Sequence, residues 1–415
     1  MKRDEVEQHQ RTRLEGAMVE VVARHGFAPT TVRELVTLAG VSKSTFYDHF
    51  GSKEECFLAA FDRISAELTA EVTAAYEDAE DPSARPAAAL RRFMDLVMEE
   101  PHRAAFVTVD SFTLGTAALA RRERVWEACE AMVSRYFSEA EPEAAVSEHA
   151  VRAIITGTTG VIYRHLRAGT TEELPELVKP LIRWALSYAK PDSEVVRRAV
   201  VAAEQPLPPS PATETEALPW TEPPDSPRSR ATLSQRERII RGAARVVAER
   251  GYGALSIPAI SAAAGTSNQT FYEHFKSKRD PFLAAYENLS SAALEASSAP
   301  LQEEHAGPEA LGRGLRTLTE YLAANPIYAK LAFFELPTAG PPALDRADRT
   351  MDLLISFLEP GRAPEGIGGP APRVVLDATT AGIWFLIQRE IGSDRADSLP
   401  ELAPEMARLA LAPLA

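Results

Sequence analysis

The chain has 415 residues, of which 45% are hydrophobic, 25% charged and 7% aromatic, a composition typical of a folded, helix-rich protein with more than one domain. It contains no run of about 18 uncharged apolar residues and starts with a charged segment, which argues against a membrane span and a secretory signal. Its two cysteines, Cys56 and Cys129, exclude a disulfide framework, and we expect a cytoplasmic, all-α protein.

Charge is distributed unevenly along the chain. The net charge is −14, but residues 9–53 carry six basic against four acidic side chains and residues 228–278 carry nine against three. Because phosphate contacts need only a local basic patch, the negative total does not exclude nucleic acid as a partner. Solvated helix faces would show the same charge runs, so charge alone leaves both interpretations open.

The first predicted element is an amphipathic helix that follows Arg11 and stops near Gly26. Thr31 and Glu34 then have the spacing of a capping box, which predicts the start of a second helix. Gly40 follows that helix and supplies a residue that can adopt positive φ in a tight turn. Two helices joined in this way predict the first part of a helix-turn-helix.

A short third helix is predicted from Lys43 to Phe50, with Ser42 as its N-cap. Phe46 and Phe50 lie four residues apart and are expected to face the core. The side chains expected to face outward are Lys43, Ser44 and Tyr47. A short helix with polar and basic residues on its outer face is typical of the element that enters the DNA major groove.

A long fourth helix is predicted after Ser52 and Glu55, which again have capping-box spacing. Lys53 lies near its start, where free backbone N–H groups would suit a phosphate. Further helices, which would form a body, are expected at about residues 84–100, 101–112, 117–139, 144–168 and 172–190.

Residues 204–231 differ from the rest in composition, because eight of these 28 residues are prolines. This density prevents continuous helix and favours extended, polyproline-like chain. Such a segment can span roughly 85 Å. We therefore expect a linker.

After the linker the sequence repeats: residues 13–62 align without a gap onto 238–287, and 19 of the 50 positions are identical. We call the three-helix segment at the start of each copy a head. The second copy has Pro258 in the first turn of its second helix and Gly265 at the turn. The outward positions of its third helix are Asn268, Gln269 and Tyr272. Body helices are expected after it at about residues 280–298, 308–324, 326–336, 342–359, 371–392 and 398–412.

Residues 38–55 and 264–278 resemble the signature of the TetR family of bacterial repressors, because turn glycine, helix cap, aromatic pair and following lysine fall in register in both. The resemblance is strong over about 50 residues per copy; the bodies match only in size and helical character. It implies a three-helix DNA-binding head followed by a helical body for effector binding and dimerisation. The family usually has one copy per chain, whereas this sequence has two.

The predicted domains are therefore a first head at 1–53, a first body at 54–203, a linker at 204–231, a second head at 232–278 and a second body at 279–415. The resemblance places DNA contacts on both heads. The predicted DNA-binding residues are Thr31, Ser42, Lys43, Ser44, Thr45, Tyr47, His49, Lys53, Ser256, Ser267, Asn268, Gln269, Thr270, Tyr272, His274 and Lys278. Surface packing is the alternative for the two tyrosines, and a partly buried structural role is the alternative for the two histidines.

The resemblance also implies an effector pocket in the body. The residues assigned to it are Phe93, Met98, Phe106, Trp126 and Tyr136, although ordinary core packing explains the same residues. Helices near 144–190 and 371–412 are expected to form the dimerisation interface. His102, His149 and His165 lack helical pairing with one another, so we expect no metal, and no motif indicates a cofactor or an enzyme.

The predicted function is a ligand-responsive regulator, expected to be a repressor, that binds double-stranded operator DNA and a small-molecule effector. Its two heads would act as an intramolecular pseudo-dimer or within a homodimer, with no membrane partner. The alternative is a helical binding or corepressor module whose heads have lost operator recognition. A helical enzyme is disfavoured because no catalytic constellation is present.

Overall fold

A computed structural model describes residues 3–144, 146–206, 234–302, 307–356 and 371–414. These residues form helices, turns and irregular segments and contain no strand. The chain divides into two compact units, Met1–Ala189 and Lys190–Ala415. The all-α, two-unit architecture is confirmed, and most of the expected linker lies outside the described residues.

The described residues of the first unit form nine α-helices, joined by short turns and short 3-10 helices. The helices are α1 (Arg3–His25), α2 (Val32–Ala39), α3 (Lys43–His49), α4 (Lys53–Glu77), α5 (Arg85–Glu99), α6 (Pro101–Thr108), α7 (Thr116–Ala140), α8 (Glu148–Ala168) and α9 (Leu174–Ser187).

Local hydrogen bonds fix the start of α2, and a glycine and a second cap form the turn between α2 and α3. Thr31 accepts from the Glu34 N–H at 3.3 Å, and the Glu34 carboxylate accepts from the Thr31 N–H at 2.9 Å, which completes the predicted capping box. Gly40 ends α2 with φ at +62°, in the left-handed region that favours glycine. Ser42 caps α3 by accepting from the Thr45 N–H at 3.0 Å. The predicted helix-turn-helix is confirmed.

The core of the first head continues into the body. Leu14, Leu35 and Phe46, from α1, α2 and α3, are fully buried together. The same cluster includes Phe57 of α4 and Phe106 of α6, whose rings stack with centroids 4.1 Å apart. The head is therefore packed on α4 and α6.

The second unit begins with a helix that precedes the second head in sequence. Its helices are α10 (Glu194–Glu204), α11 (Gln235–Arg250), α12 (Ile257–Ala264), α13 (Asn268–His274), α14 (Arg279–Ser298), α15 (Pro308–Ala324), α16 (Pro326–Lys330), α17 (Pro341–Ser356), α18 (Arg373–Gly392) and α19 (Leu399–Leu411). A π-helical turn, Leu331–Glu335, follows α16.

The expected end of the first body at residue 203 is wrong, because α10 packs on α15 and α19 of the second unit. Ion pairs hold it there: Arg198 Nε lies 2.5 Å from Glu309 Oε1, and Arg408 Nε lies 3.0 Å from Asp192 Oδ2. The helix contributes buried apolar residues to this interface, as an amphipathic helix must. The second unit therefore contains residues from both sides of the proline-rich segment.

The contact between α10 and α15 is close. A Cβ atom added at Gly312 would lie 2.1 Å from the carbonyl oxygen of Ala199. Two helix backbones approach this closely only where a side chain is missing, so this glycine is required by the packing.

Within the described part of the chain, no helix is both long and apolar enough to cross a membrane.

Candidate DNA-reading faces and effector cavity

The predicted outward face of α3 is exposed. Lys43 and Ser44 lie on the surface, and the Tyr47 side chain is 51% exposed. The face rests on Phe46 and Phe50, both fully buried, so the exposed side chains project from a fixed base. An aromatic side chain exposed above a rigid core is available for contact with a partner.

The second head presents a face of the same shape with different chemistry. Asn268 and Gln269 are exposed, Tyr272 is 62% exposed, and Phe271 and Phe275 are buried beneath them. Two amides replace the lysine and serine of the first head. Asparagine and glutamine side chains match the donor–acceptor pair of adenine in the major groove, whereas lysine suits guanine or phosphate.

Several of the predicted contact residues serve as helix caps. Ser256 accepts from the Ala259 N–H at 3.4 Å, and Ser267 accepts from the Thr270 N–H at 3.0 Å. Thr45 and Thr270 lie within the first turn of their helices, with their hydroxyls 2.8 and 3.0 Å from the capping serines. These hydroxyls, together with those of Thr31 and Ser42, fix the orientation of the helix N-termini.

Lys53 does not project freely towards solvent. Its Nζ donates to the carbonyl oxygens of Phe27, Ala28 and Thr30 at 3.2, 3.0 and 3.0 Å, and it lies 4.6 Å from the centroid of the Phe27 ring. An ammonium has three protons, and all three are used within the head. The phosphate contact expected of Lys53 stays a prediction; in this structure its ammonium holds the turn between α1 and α2.

Lys278 occupies the equivalent place with fewer bonds. Its Nζ donates to the Leu255 carbonyl at 2.7 Å and lies 5.2 Å from the centroid of the Tyr252 ring. His274 is exposed and contacts Gln235 at 3.3 Å, whereas His49 is half-buried beside Phe50. The lysine and histidine side chains of the two heads thus differ in the contacts that they make within the protein.

The first unit encloses a cavity of about 200 Å³ between α4, α5, α7, α8 and α9, with α6 and the turn after it closing one side. Its walls are almost entirely apolar. Of the residues predicted for a pocket, Phe93, Trp126 and Tyr136 line it. Such a space suits a small apolar molecule.

Two of the predicted pocket residues lie elsewhere. Phe106 is buried against Phe57 beneath the head, and Met98 is not among the residues that line the cavity. Both follow the helical spacing of core residues, and spacing alone does not distinguish a cavity wall from a filled core.

Sequence reasoning did not identify Arg122 as a cavity residue. It lines the cavity from α7, is only 4% exposed, and its guanidinium carbon lies 4.0 Å from the centroid of the Phe112 ring. It sits in the run Arg121-Arg122-Glu123-Arg124, which has the composition of a solvated helix surface. Only the position on α7 relative to the cavity reveals it.

The second unit has a smaller cavity of about 90 Å³. Phe333 and Trp384 stack at its edge with ring centroids 4.0 Å apart. None of the described residues that line it is charged. The cavities of the two units therefore differ in volume and in the charge of their linings.

Two heads, each with a buried three-helix core and an exposed third helix, define a helix-turn-helix protein. Residues 16–60 and 239–285 match the family described as bacterial regulatory proteins, tetR family. Each match covers most of a head and the start of the following long helix. The chain therefore contains two segments that match this family, one in each head.

Known proteins resemble parts of the chain. The HTH-type transcriptional activator FasR of Mycolicibacterium smegmatis is 27% identical over 145 residues, which are 35% of this chain and 65% of that protein. The fatty acid degradation regulator FadR of Bacillus halodurans has a TM-score of 0.39 at 17% identity, over 42% of this chain and 97% of its own. FadR of Bacillus subtilis in complex with stearoyl-CoA has a TM-score of 0.39 at 14% identity, over 43% of this chain and 98% of its own.

Proposed function

We propose that this protein is a ligand-responsive transcriptional regulator that binds double-stranded operator DNA through both heads. The observation that carries the proposal is that both third helices keep an exposed polar face above a fully packed core. A head that had lost DNA binding would be free to lose one or the other. The alternative of a corepressor with degenerate heads has no such support.

The two reading faces predict an operator with unequal halves. Lys43 and Ser44 favour guanine or phosphate, whereas Asn268 and Gln269 favour adenine. Phosphate contacts by the exposed tyrosines would set the register of each head without reading bases. We therefore expect an imperfect palindrome whose two halves are recognised by different heads.

Effector binding is proposed for the cavity of the first unit. Phe61 of α4 and Val107 of α6 line it, and the same two helices carry Phe57 and Phe106 beneath the first head. A ligand that moves α4 or α6 would therefore displace the base of the head. This differential contact is what an allosteric change in DNA affinity requires.

We further propose that the protein is a repressor and that its two heads act as a pseudo-dimer within one chain. Two heads in one chain supply what a family homodimer obtains from two chains, so a single chain suffices for one operator. Sedimentation at low micromolar concentration is expected to give a species of 45.2 kDa. A species of twice that mass would refute the monomeric form. Because a similar protein is named an activator, a promoter–reporter assay determines the direction of regulation.

Selection from random DNA tests the function directly. The full-length chain is compared with Lys43→Ala/Tyr47→Ala, with Asn268→Ala/Gln269→Ala, and with Glu20→Ala, an exposed residue on α1, as the control. Each double variant should lose preference in one half-site only, and the control in neither. Binding that is insensitive to sequence would overturn the proposal. Selection of a perfect palindrome would refute unequal reading by the two heads.

A further inference from the structure

The cavity of the first unit contains one buried charge. Arg122 is 4% exposed, and neither its Nε nor its Nη1 has a hydrogen-bond partner within the described protein. Burial lowers the pKa of Arg122 to about 10, so the guanidinium remains protonated at neutral pH. A buried cation without a hydrogen-bonded partner is costly, because its hydration has been lost and little replaces it.

Arg152, a neighbour on α8, differs from Arg122 in that it has carboxylate ion-pair partners. Its Nη2 lies 2.8 Å from Glu123 Oε2 and its Nε lies 2.5 Å from Glu130 Oε1. Glu123, which follows Arg122 in sequence and attracts it electrostatically, is thus already paired. The nearby carboxylates are committed to Arg152, and Arg122 is left facing aromatic rings.

The surroundings of Arg122 specify the shape of a partner. The rings of Phe112 and Trp126 have centroids 4.0 and 5.9 Å from its guanidinium carbon. Among the described residues lining the cavity it is the only charged one, and the remaining walls are apolar side chains with a few hydroxyls. A molecule that satisfied the whole site would have one anionic group and an apolar remainder.

We propose that the first unit binds an apolar carboxylate whose anionic group pairs with Arg122 while its hydrocarbon part fills the cavity. This inference rests on the proposed effector site and specifies its ligand class. Charge-assisted bonds between guanidinium and carboxylate are among the strongest that a protein makes, and burial strengthens them. The second unit, whose cavity is lined by uncharged described residues, would not select for such an anion.

Calorimetric titration of the full-length protein tests the inference, with saturated carboxylic acids from octanoic to tetradecanoic acid as probes, below their micellar concentrations. Alcohols of the same chain lengths are the uncharged controls. The acid is expected to bind at least about tenfold more tightly than the matching alcohol, a ratio that a single buried ionic contact readily supplies. Equal binding of acid and alcohol, or no binding of any acid in the series, would overturn the inference.

Variants separate charge from packing. Arg122→Met should abolish the preference for acid over alcohol, and because it removes an unpaired buried charge it should unfold at the same temperature as the wild type or higher. Arg122→Lys should retain most of the preference and covers the case in which the methionine variant does not fold. Arg124→Met, exposed on the same helix, is the matched control and should leave the ratio unchanged. An Arg122→Met protein that still prefers the acid would refute the assignment.

DNA binding, measured on the same preparations, distinguishes failure of the ligand assignment from failure of the proposed function. If the wild-type protein binds its operator but shows no preference for the acid, only the ligand assignment is refuted. Failure of every preparation to bind DNA in a sequence-specific way would refute the proposed function, whatever the acids do.

Discussion

The lysine that follows each recognition helix gives the sharpest test of how these heads work. In Lys53→Met the carbonyls of Phe27, Ala28 and Thr30 lose a charged donor, and the contact with the Phe27 ring is lost too. Hydrogen bonds to charged groups contribute about 1.5–3 kcal/mol each. Because the three share one part-exposed ammonium and water can replace it, we expect a total loss of about 3 kcal/mol rather than the sum.

Lys278→Met is the internal comparison, because its ammonium donates to one carbonyl at 2.7 Å. About half the loss, roughly 1.5 kcal/mol, is expected there. Lys43→Met is the matched control: the side chain is exposed, so its replacement should leave stability unchanged. Denaturant unfolding of the full-length chain, followed by circular dichroism, gives the three values.

Salt dependence of DNA binding supplies the decisive second readout. If Lys53 orders the turn, its replacement should leave the slope of log affinity against log salt unchanged, whereas replacement of Lys43 should reduce it by about one phosphate contact. The reasoning is refuted if Lys53→Met keeps full stability and flattens the salt slope. That result would mean that the ammonium leaves its three carbonyls for a phosphate.

Three further predictions concern the bodies. Burial raises the pKa of Asp110 to about 7. Because the folded state then holds this proton more tightly than the unfolded chain, the contribution of Asp110 to stability should be greatest below about pH 4. It should fall along a slope that totals about 4 kcal/mol as the pH rises to 7. Asp110→Asn should remove that slope in denaturant unfolding at a series of pH values; an unchanged slope would contradict the assignment. Gly312→Ala should lower the unfolding temperature of the second unit by at least several degrees, since its Cβ would collide with a backbone oxygen. Gly16→Ala is the control: a Cβ there would have nothing within 4 Å, so this variant should be neutral or stabilising. A fragment starting at Lys190 should fold cooperatively. A fragment starting at residue 232 should be markedly less stable because it lacks α10. Equal stability of the two fragments would refute the assignment of α10 to the second unit.

Local signals made the heads predictable from sequence. The capping box at Thr31, the turn at Gly40 and the core pair Phe46 and Phe50 each depend on residues within a few positions of one another. Helix caps and 3.6-residue periodicity are short-range properties, so a single sequence contains them in full. Most helix positions of the two bodies followed for the same reason, although α10 was not predicted.

The remaining features depend on which distant segments meet. Arg122 has the sequence context of a surface residue, and only its burial against Phe112 shows otherwise. The role of Lys53 depends on a loop 23 to 26 residues away in the chain. The packing of α10 on α15 depends on residues more than a hundred positions apart. Tertiary packing decides such cases, and neither propensity nor periodicity records it.

The docking of α10 has a consequence for how the protein comes apart. A protease cut introduced between residues 206 and 234 breaks the chain, yet the amino-terminal fragment still ends in a helix seated between α15 and α19. The two fragments would then be receptor and peptide ligand, held by the ion pairs of Arg198 and Arg408 and by buried apolar contacts. They should remain associated and dissociate with a measurable affinity. Cleavage between the two copies would thus give two fragments that bind each other reversibly.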